Sequence, residues 1–204
     1  MDKIIEYIKN KYQPIVIIVY GSFATGSNNL SSDFDALVIS KSHKIFHDTS
    51  LVGDIQLDVF IYPENYFEGE YDYNEFIQIY DGIVVLDTKN KGLNLKNKVI
   101  DYLQNKQLQK KEGINNSVSW CLKMLERSKR EDEEGAFRFH LLLVESLEIF
   151  CDIVEHPYFG PKKALKWMKE NHPEAYGLYK KALINFNIES LNDWILYMKS
   201  LIKS

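Results

Sequence analysis

The sequence predicts an α+β fold, with a mixed β-sheet and flanking helices in the first half and helices alone in the second. Two observations carry this. Apolar runs of strand length, near 15–20, 35–40, 54–62 and 82–86, are confined to the first ninety residues and end at turn residues or at Pro63. From Lys91 onward, apolar residues recur at three- and four-residue spacing almost to the last residue. Strands early and helices late give a sheet domain followed by a helical one. The boundary is expected in the polar Gln- and Lys-rich stretch 105–112, dividing the chain into 1–108 and 109–204. At 204 residues and 45% hydrophobic, the chain is long enough for two small cores.

The elements follow in order. Residues 2–11 place apolar side chains at 4, 5, 8 and 12, a helical spacing. Pro14 opens a strand that ends at the Gly21 turn, and 22–27 opens a short helix. Strands at 35–40 and 54–62 come next, the second stopped by Pro63. An acidic, tyrosine-rich stretch then leads to a short β-branched strand at 82–86. Helices are expected at 94–108, 113–130, 133–154, 161–170, 173–185 and 188–203. Gly113, Gly135 and Gly160-Pro161 fall at breaks.

Composition narrows the partners. Net charge is −4, but residues 1–105 hold 9 basic and 15 acidic residues, whereas 106–204 hold 16 and 14. Neither half has the basic stripe of a nucleic-acid binder, and the acidic first half favours a cationic partner over a long polyanion. No segment reaches the ~18 continuous apolar residues of a membrane span. Residues 1–10 lack a signal-peptide core, so the expected compartment is the cytoplasm. Cys121 and Cys151 have no ligand spacing and read as buried, reduced thiols.

The most informative stretch is 21–35. Gly21-Ser22 follows the first strand, and Asp33-Phe34-Asp35 opens the second. Side chains alternate along a strand, so Asp33 and Asp35 point the same way. Asp58 interrupts another apolar run, where a lone acid needs a partner. Gly21 and Gly26 have P-loop spacing, but Ser27-Asn28 stands where Lys-Ser/Thr is required. An EF-hand needs an oxygen ligand and then Gly where Leu37 and Val38 stand. His43 and His47 are four apart, but Lys44 takes the place of a zincin glutamate.

Gly-Ser, ten residues, Asp-x-Asp and a later strand-borne Asp resemble the nucleotidyltransferase superfamily typified by DNA polymerase beta. In size and layout the chain is most similar to the small antibiotic (kanamycin- and lincosamide-type) enzymes and the minimal nucleotidyltransferases. The resemblance is clear over residues 14–62. It implies a Mg²⁺-dependent transfer of a nucleoside monophosphate, AMP from ATP, to a hydroxyl of a small molecule such as an aminoglycoside or lincosamide, with release of pyrophosphate. Asp33, Asp35 and Asp58 would be catalytic and would hold two Mg²⁺ ions. Gly21 and Ser22 would bind the triphosphate. The helical part would bind the acceptor.

Two other readings remain at this stage. One is protein adenylylation of the antitoxin type, although such proteins are usually the sheet domain alone. The other is a non-catalytic nucleotide-binding module, which an intact acid triad disfavours.

The second half supplies a candidate base. Helix 133–154 is apolar on nearly all sides and is expected to be buried. Its acids Glu145, Glu148 and Asp152 share one stripe, which either pairs with Lys/Arg or lines a cleft. Kanamycin-type enzymes take a base from a second-domain helix. No motif aligns that glutamate here; Glu145 is the first choice because it lies deepest in the apolar run, Glu148 is the second, and Asp58 is the remaining one. Glu64, Glu68, Glu70, Asp72 and Glu75 form either a solvated face or a rim for a cationic acceptor. Trp167, Trp194, Tyr176, Tyr179 and Tyr197 are aromatics of the kind that favour interfaces, and with the resemblance they support the expectation of a homodimer.

Overall fold

The first helix, α1 (Asp2–Tyr12), forms where Ile4, Ile5 and Ile8 share one buried face. Six strands follow: β1 (Pro14–Val19), β2 (Phe34–Ser40), β3 (Phe46–Asp48), β4 (Leu51–Val52), β5 (Ile55–Pro63) and β6 (Ile83–Asp87). A short helix, α2 (Gly21–Thr25), links β1 to β2, and two 3₁₀ segments link β5 to β6. Then come α3 (Lys91–Lys111), α4 (Ile114–Ser128), α5 (Glu133–Ile153), α6 (Pro161–Asn171), α7 (Pro173–Asn185) and α8 (Ile188–Ser200). The computed structural model describes residues 1–41, 44–111 and 113–202, with all of their side chains except those of 107–109 and 111. They divide into two units, Met1–Leu103 and Gln104–Ser204. The α+β class is the one expected. Among the described residues, no helix is long and apolar enough to cross a membrane.

In the first unit the sheet order is β3-β5-β2-β1-β6, with β4 paired to β5. Among the described residues, only β2 and β5 run parallel; β1–β2, β1–β6, β3–β5 and β4–β5 are antiparallel. One sheet face packs on α1 through Ile17, Val19, Phe34, Ala36, Val38, Leu57, Val59 and Ile61. On the other face α3 comes close to β1. A Cβ added at Gly92 would lie 2.5 Å from Val16 Cγ1, and Leu95, Val99 and Leu103 are buried along the same helix. Strands β1 and β2 are therefore buried on both faces and read as continuous apolar runs.

Strands β3 and β4 escape a periodicity reading. They are three and two residues long, and β3 is Phe-His-Asp. Long-range pairing holds β3 in place, and so does a buried carboxylate. Asp48 is 1% exposed. Its Oδ1 accepts bonds from the Ser50 N–H (2.9 Å) and hydroxyl (2.5 Å). Its Oδ2 takes Tyr12 Oη (2.6 Å), Lys11 Nζ (3.1 Å) and Tyr7 Oη (3.3 Å), all from α1. Burial alone would raise the Asp48 pKa. The bonds from Ser50, Tyr12 and Lys11 outweigh it and hold the carboxyl well below the usual carboxylate range.

The second unit has its own core, built from one stripe of each helix. Trp194 is fully buried, and its Nε1 donates to Ser146 Oγ at 2.9 Å. Tyr179 Oη donates to the Leu143 carbonyl at 2.8 Å. Trp167, Tyr176 and Tyr197 pack against the same cluster, and Trp167 stacks on His156 with centroids 3.7 Å apart. Trp194 and Tyr179 are thus buried in the core of the unit, and Trp167, Tyr176 and Tyr197 are half-buried beside it. Cys121 and Cys151 are free and buried, as expected, and burial pushes both thiols up to about 12.

Asp48→Asn should lower unfolding stability by about 2 kcal/mol at neutral pH, since several bonds to a buried charge are lost or weakened. The folded-state pKa is depressed, so this stabilisation is present above the unfolded value near ~4 and is lost as pH falls below it. Urea unfolding of both proteins from pH 7 to pH 3 should show a gap that is constant down to about pH 5 and narrows progressively below about pH 4.

Candidate active site

The acids are placed by the parallel pair. Asp35 on β2 is the register partner of Asp58 on β5. Paired residues share a sheet face, and adjacent strands lie about 4.8 Å apart, so the two carboxylates leave the sheet side by side. Their face is opposite to the one packed on α1, because their neighbours Phe34, Leu57 and Val59 are buried in that core. Both acids are half-buried. Asp33 is exposed, one residue before β2 begins. The loop before it is braced by Asn29, whose Oδ1 accepts from Ser31 N–H at 2.9 Å and Ser31 Oγ at 2.8 Å.

Gly21 closes one side. Its φ is 68°, and a Cβ there would lie 2.1 Å from Asp35 Oδ2. The backbone of the turn therefore rests directly on the carboxylate, and only glycine permits both the left-handed conformation and the approach. Ser22 is half-buried in the first turn of α2. Tyr20 supplies a second wall. Its hydroxyl is hydrogen-bonded to the Gln78 side chain, and burial first, then the charges of Asp58 and Asp35, push its pKa far up. The phenol stays protonated beside the acids. Tyr20 was not anticipated as a site residue, although it immediately precedes Gly21.

His47 was also missed. From β3 its Nε2 lies 2.6 Å from Asp58 Oδ1, and its ring stacks on Phe60 with centroids 4.1 Å apart and planes 4° apart. The partner suggested by spacing, His43, lies outside the described residues. Among the described residues, no group of three or more His, Cys, Asp and Glu side chains is close enough to hold an ion as it stands.

The oxygen donors fit a hard divalent cation: two face-sharing carboxylates, with backbone pressed against one of them. A chain that begins in this way and builds this sheet has a matching family model. The nucleotidyltransferase domain model covers residues 1–112, more than half of the chain. The chain belongs to the nucleotidyltransferase domain family. It is a nucleotidyltransferase, a class that acts on nucleoside triphosphates and generally uses a divalent metal. It is also similar to a solved nucleotidyltransferase-like protein from Exiguobacterium sibiricum, with 12% identity and a TM-score of 0.44 over 96% of this chain and 70% of that one. No curated protein matches the chain.

Helix α5 is not buried on all sides. Its packed stripe is Phe139, Leu142, Leu143, Ser146, Leu147, Phe150 and Cys151, while Phe137 and Val144 are 60% and 66% exposed. Glu145 is exposed with them, so it does not sit in apolar surroundings. The helix is apolar enough to look enclosed, but its neighbours contact only one side. Glu148 and Asp152 share Lys110, at 2.9 and 3.0 Å, so that part of the acidic stripe pairs with a lysine. Lys91 and Lys89 likewise hold Glu64, lowering its pKa to about 2, and Tyr66 donates to Glu75 at 3.0 Å. A cleft of about 570 Å³ is lined by Lys44, Ile45, Pro63, Asn65 and Tyr66. It sits at the Pro63 end of β5, roughly 16 Å along the strand from Asp58, and does not include the acids.

Gly21→Ala should both strain the backbone and displace Asp35. The expected loss is about 1–3 kcal/mol of unfolding stability, measured in urea, with a larger proportional loss of turnover.

Proposed function

We propose that this nucleotidyltransferase moves AMP from ATP, with release of pyrophosphate, to a hydroxyl of a small cationic acceptor of the aminoglycoside or lincosamide kind. The observation that carries the reading is the pairing of Asp35 with Asp58 on one sheet face beneath the Gly21 turn. In it, Asp33, Asp35 and Asp58 would hold two Mg²⁺ ions. When bound, these neutralise charge at the α-phosphate and the departing pyrophosphate. The chain's own part is positioning. Gly21 lets the triphosphate approach the backbone, and the Ser22 N–H and hydroxyl donate to it. Tyr20, kept protonated, walls the acids from bulk water on one side.

The acceptor class follows from charge. Residues 1–105 carry a net charge of −6, which attracts a cation and repels a polyanion. The helical unit, 109–204 in this reading, shapes the acceptor pocket, and the compartment is the cytoplasm. The acceptor proton goes to Asp58 or to Glu145. Glu145→Gln distinguishes them. Turnover near wild type assigns the proton to Asp58, and a fall of about a hundredfold with ATP binding intact assigns it to Glu145.

The test is a panel of hydroxylated cationic acceptors with labelled ATP and Mg²⁺, with the adduct detected by mass. Pyrophosphate should appear only when acceptor and cation are both present. Asp35→Asn should lower its release at least about a hundredfold while leaving the unfolding midpoint unchanged or raised. Release of inorganic phosphate instead would overturn the assignment.

A further inference from the structure

Outside the acids themselves, the best-organised polar contact on the acid face is the one between β3 and Asp58. His47 and Asp48 are consecutive, so their side chains leave opposite faces of the sheet. Asp48 is buried against α1 and is held there by Tyr7, Lys11, Tyr12 and Ser50. That anchor leaves His47 no choice of face. Pairing of His47 with Phe60 puts it on the same side as Asp58, two residues along β5.

The ring is then fixed twice. Phe60 stacks on it flat, and its Nε2 meets Asp58 Oδ1 at 2.6 Å. A carboxylate only accepts, so Nε2 carries the hydrogen and donates. The bond takes Oδ1 alone. Among the described residues, no hydrogen bond reaches Asp58 Oδ2.

We infer that His47 is a positioning residue for Asp58: its Nε2–H holds Oδ1, fixing the carboxylate so that Oδ2 is presented to a divalent cation on the acid face. This rests on the nucleotidyl-transfer reading of Asp35 and Asp58. Groups that hydrogen-bond a metal-binding carboxylate orient it, and their loss typically weakens metal binding ~10–100-fold. The competing idea is that His47 merely blocks the acid, and it predicts the opposite sign, tighter cation binding once the imidazole is gone.

Mn²⁺ alone is the probe, and loss of the free-ion electron paramagnetic resonance signal is the readout. It is measured on the full chain carrying His47→Ala, His47→Gln, Phe60→Leu or Asp35→Asn, with circular-dichroism melting of each. His47→Ala should raise the Mn²⁺ Kd about tenfold or more, and His47→Gln, which keeps an N–H donor, should recover most of that. Phe60→Leu, which loosens the ring but keeps the bond, should fall between. The His47 variants should melt close to wild type, since the side chain is 43% exposed. His47→Ala binding Mn²⁺ as well as wild type, or more tightly, overturns the inference. So does equal weakness of the Ala and Gln variants. If instead Asp35→Asn binds Mn²⁺ normally, the acid-site reading itself fails and this inference falls with it.

Discussion

The site depends on the parallel pairing of β2 against β5. Parallel neighbours cannot be joined by a tight turn, so the chain must cross over and return. It does so through β3 and β4, which pair back on β5. The pairing matches Asp35 with Asp58 across seven consecutive partners. A slip of one residue would send one carboxylate into the core with Val59 and Ala36. The buried apolar face therefore specifies the acid face, because the same alternation serves both.

A second constraint comes from Asp48. Burying a carboxylate is unfavourable unless it is well hydrogen-bonded, and here the donors come from the first helix and from Ser50. Lys11 and Tyr12 sit at the end of α1, more than thirty residues earlier in the chain. The contact thus ties the N-terminal helix to an edge strand that has few backbone bonds of its own. An edge strand of three residues would otherwise be weakly placed.

Much of this was legible in the sequence, for physical reasons. Strands β1, β2 and β5 are apolar runs bounded by Gly and Pro, and the α1 and C-terminal helix periods are strong. Gly21, Asp35 and Asp58 could be singled out because glycine and isolated acids are costly in strand surroundings unless they are used. His47, Tyr20 and Asp48 could not be. Each acquires its role from a partner distant in the chain, and β3 is too short and too polar to announce itself. The expected burial of Glu145 failed for a related reason. The composition of α5 suggests enclosure, but Phe137 and Val144 face outward, and only contacts decide which side of such a helix is covered. Glu148 and Asp152 were likewise ambiguous until Lys110 was placed between them.

The short edge strand has an effect on what the chain can tolerate. His47 and Asp48 answer to opposite sides of the sheet, so their separation is a matter of parity. Inserting or deleting a single residue between them and β5 would exchange the two environments at once, pressing an imidazole against Lys11 and turning a carboxylate towards Asp58. Both changes are unfavourable, whereas a two-residue change would leave the faces as they are. Length variation in the 49–54 connection should therefore be accepted in steps of two far more readily than in steps of one.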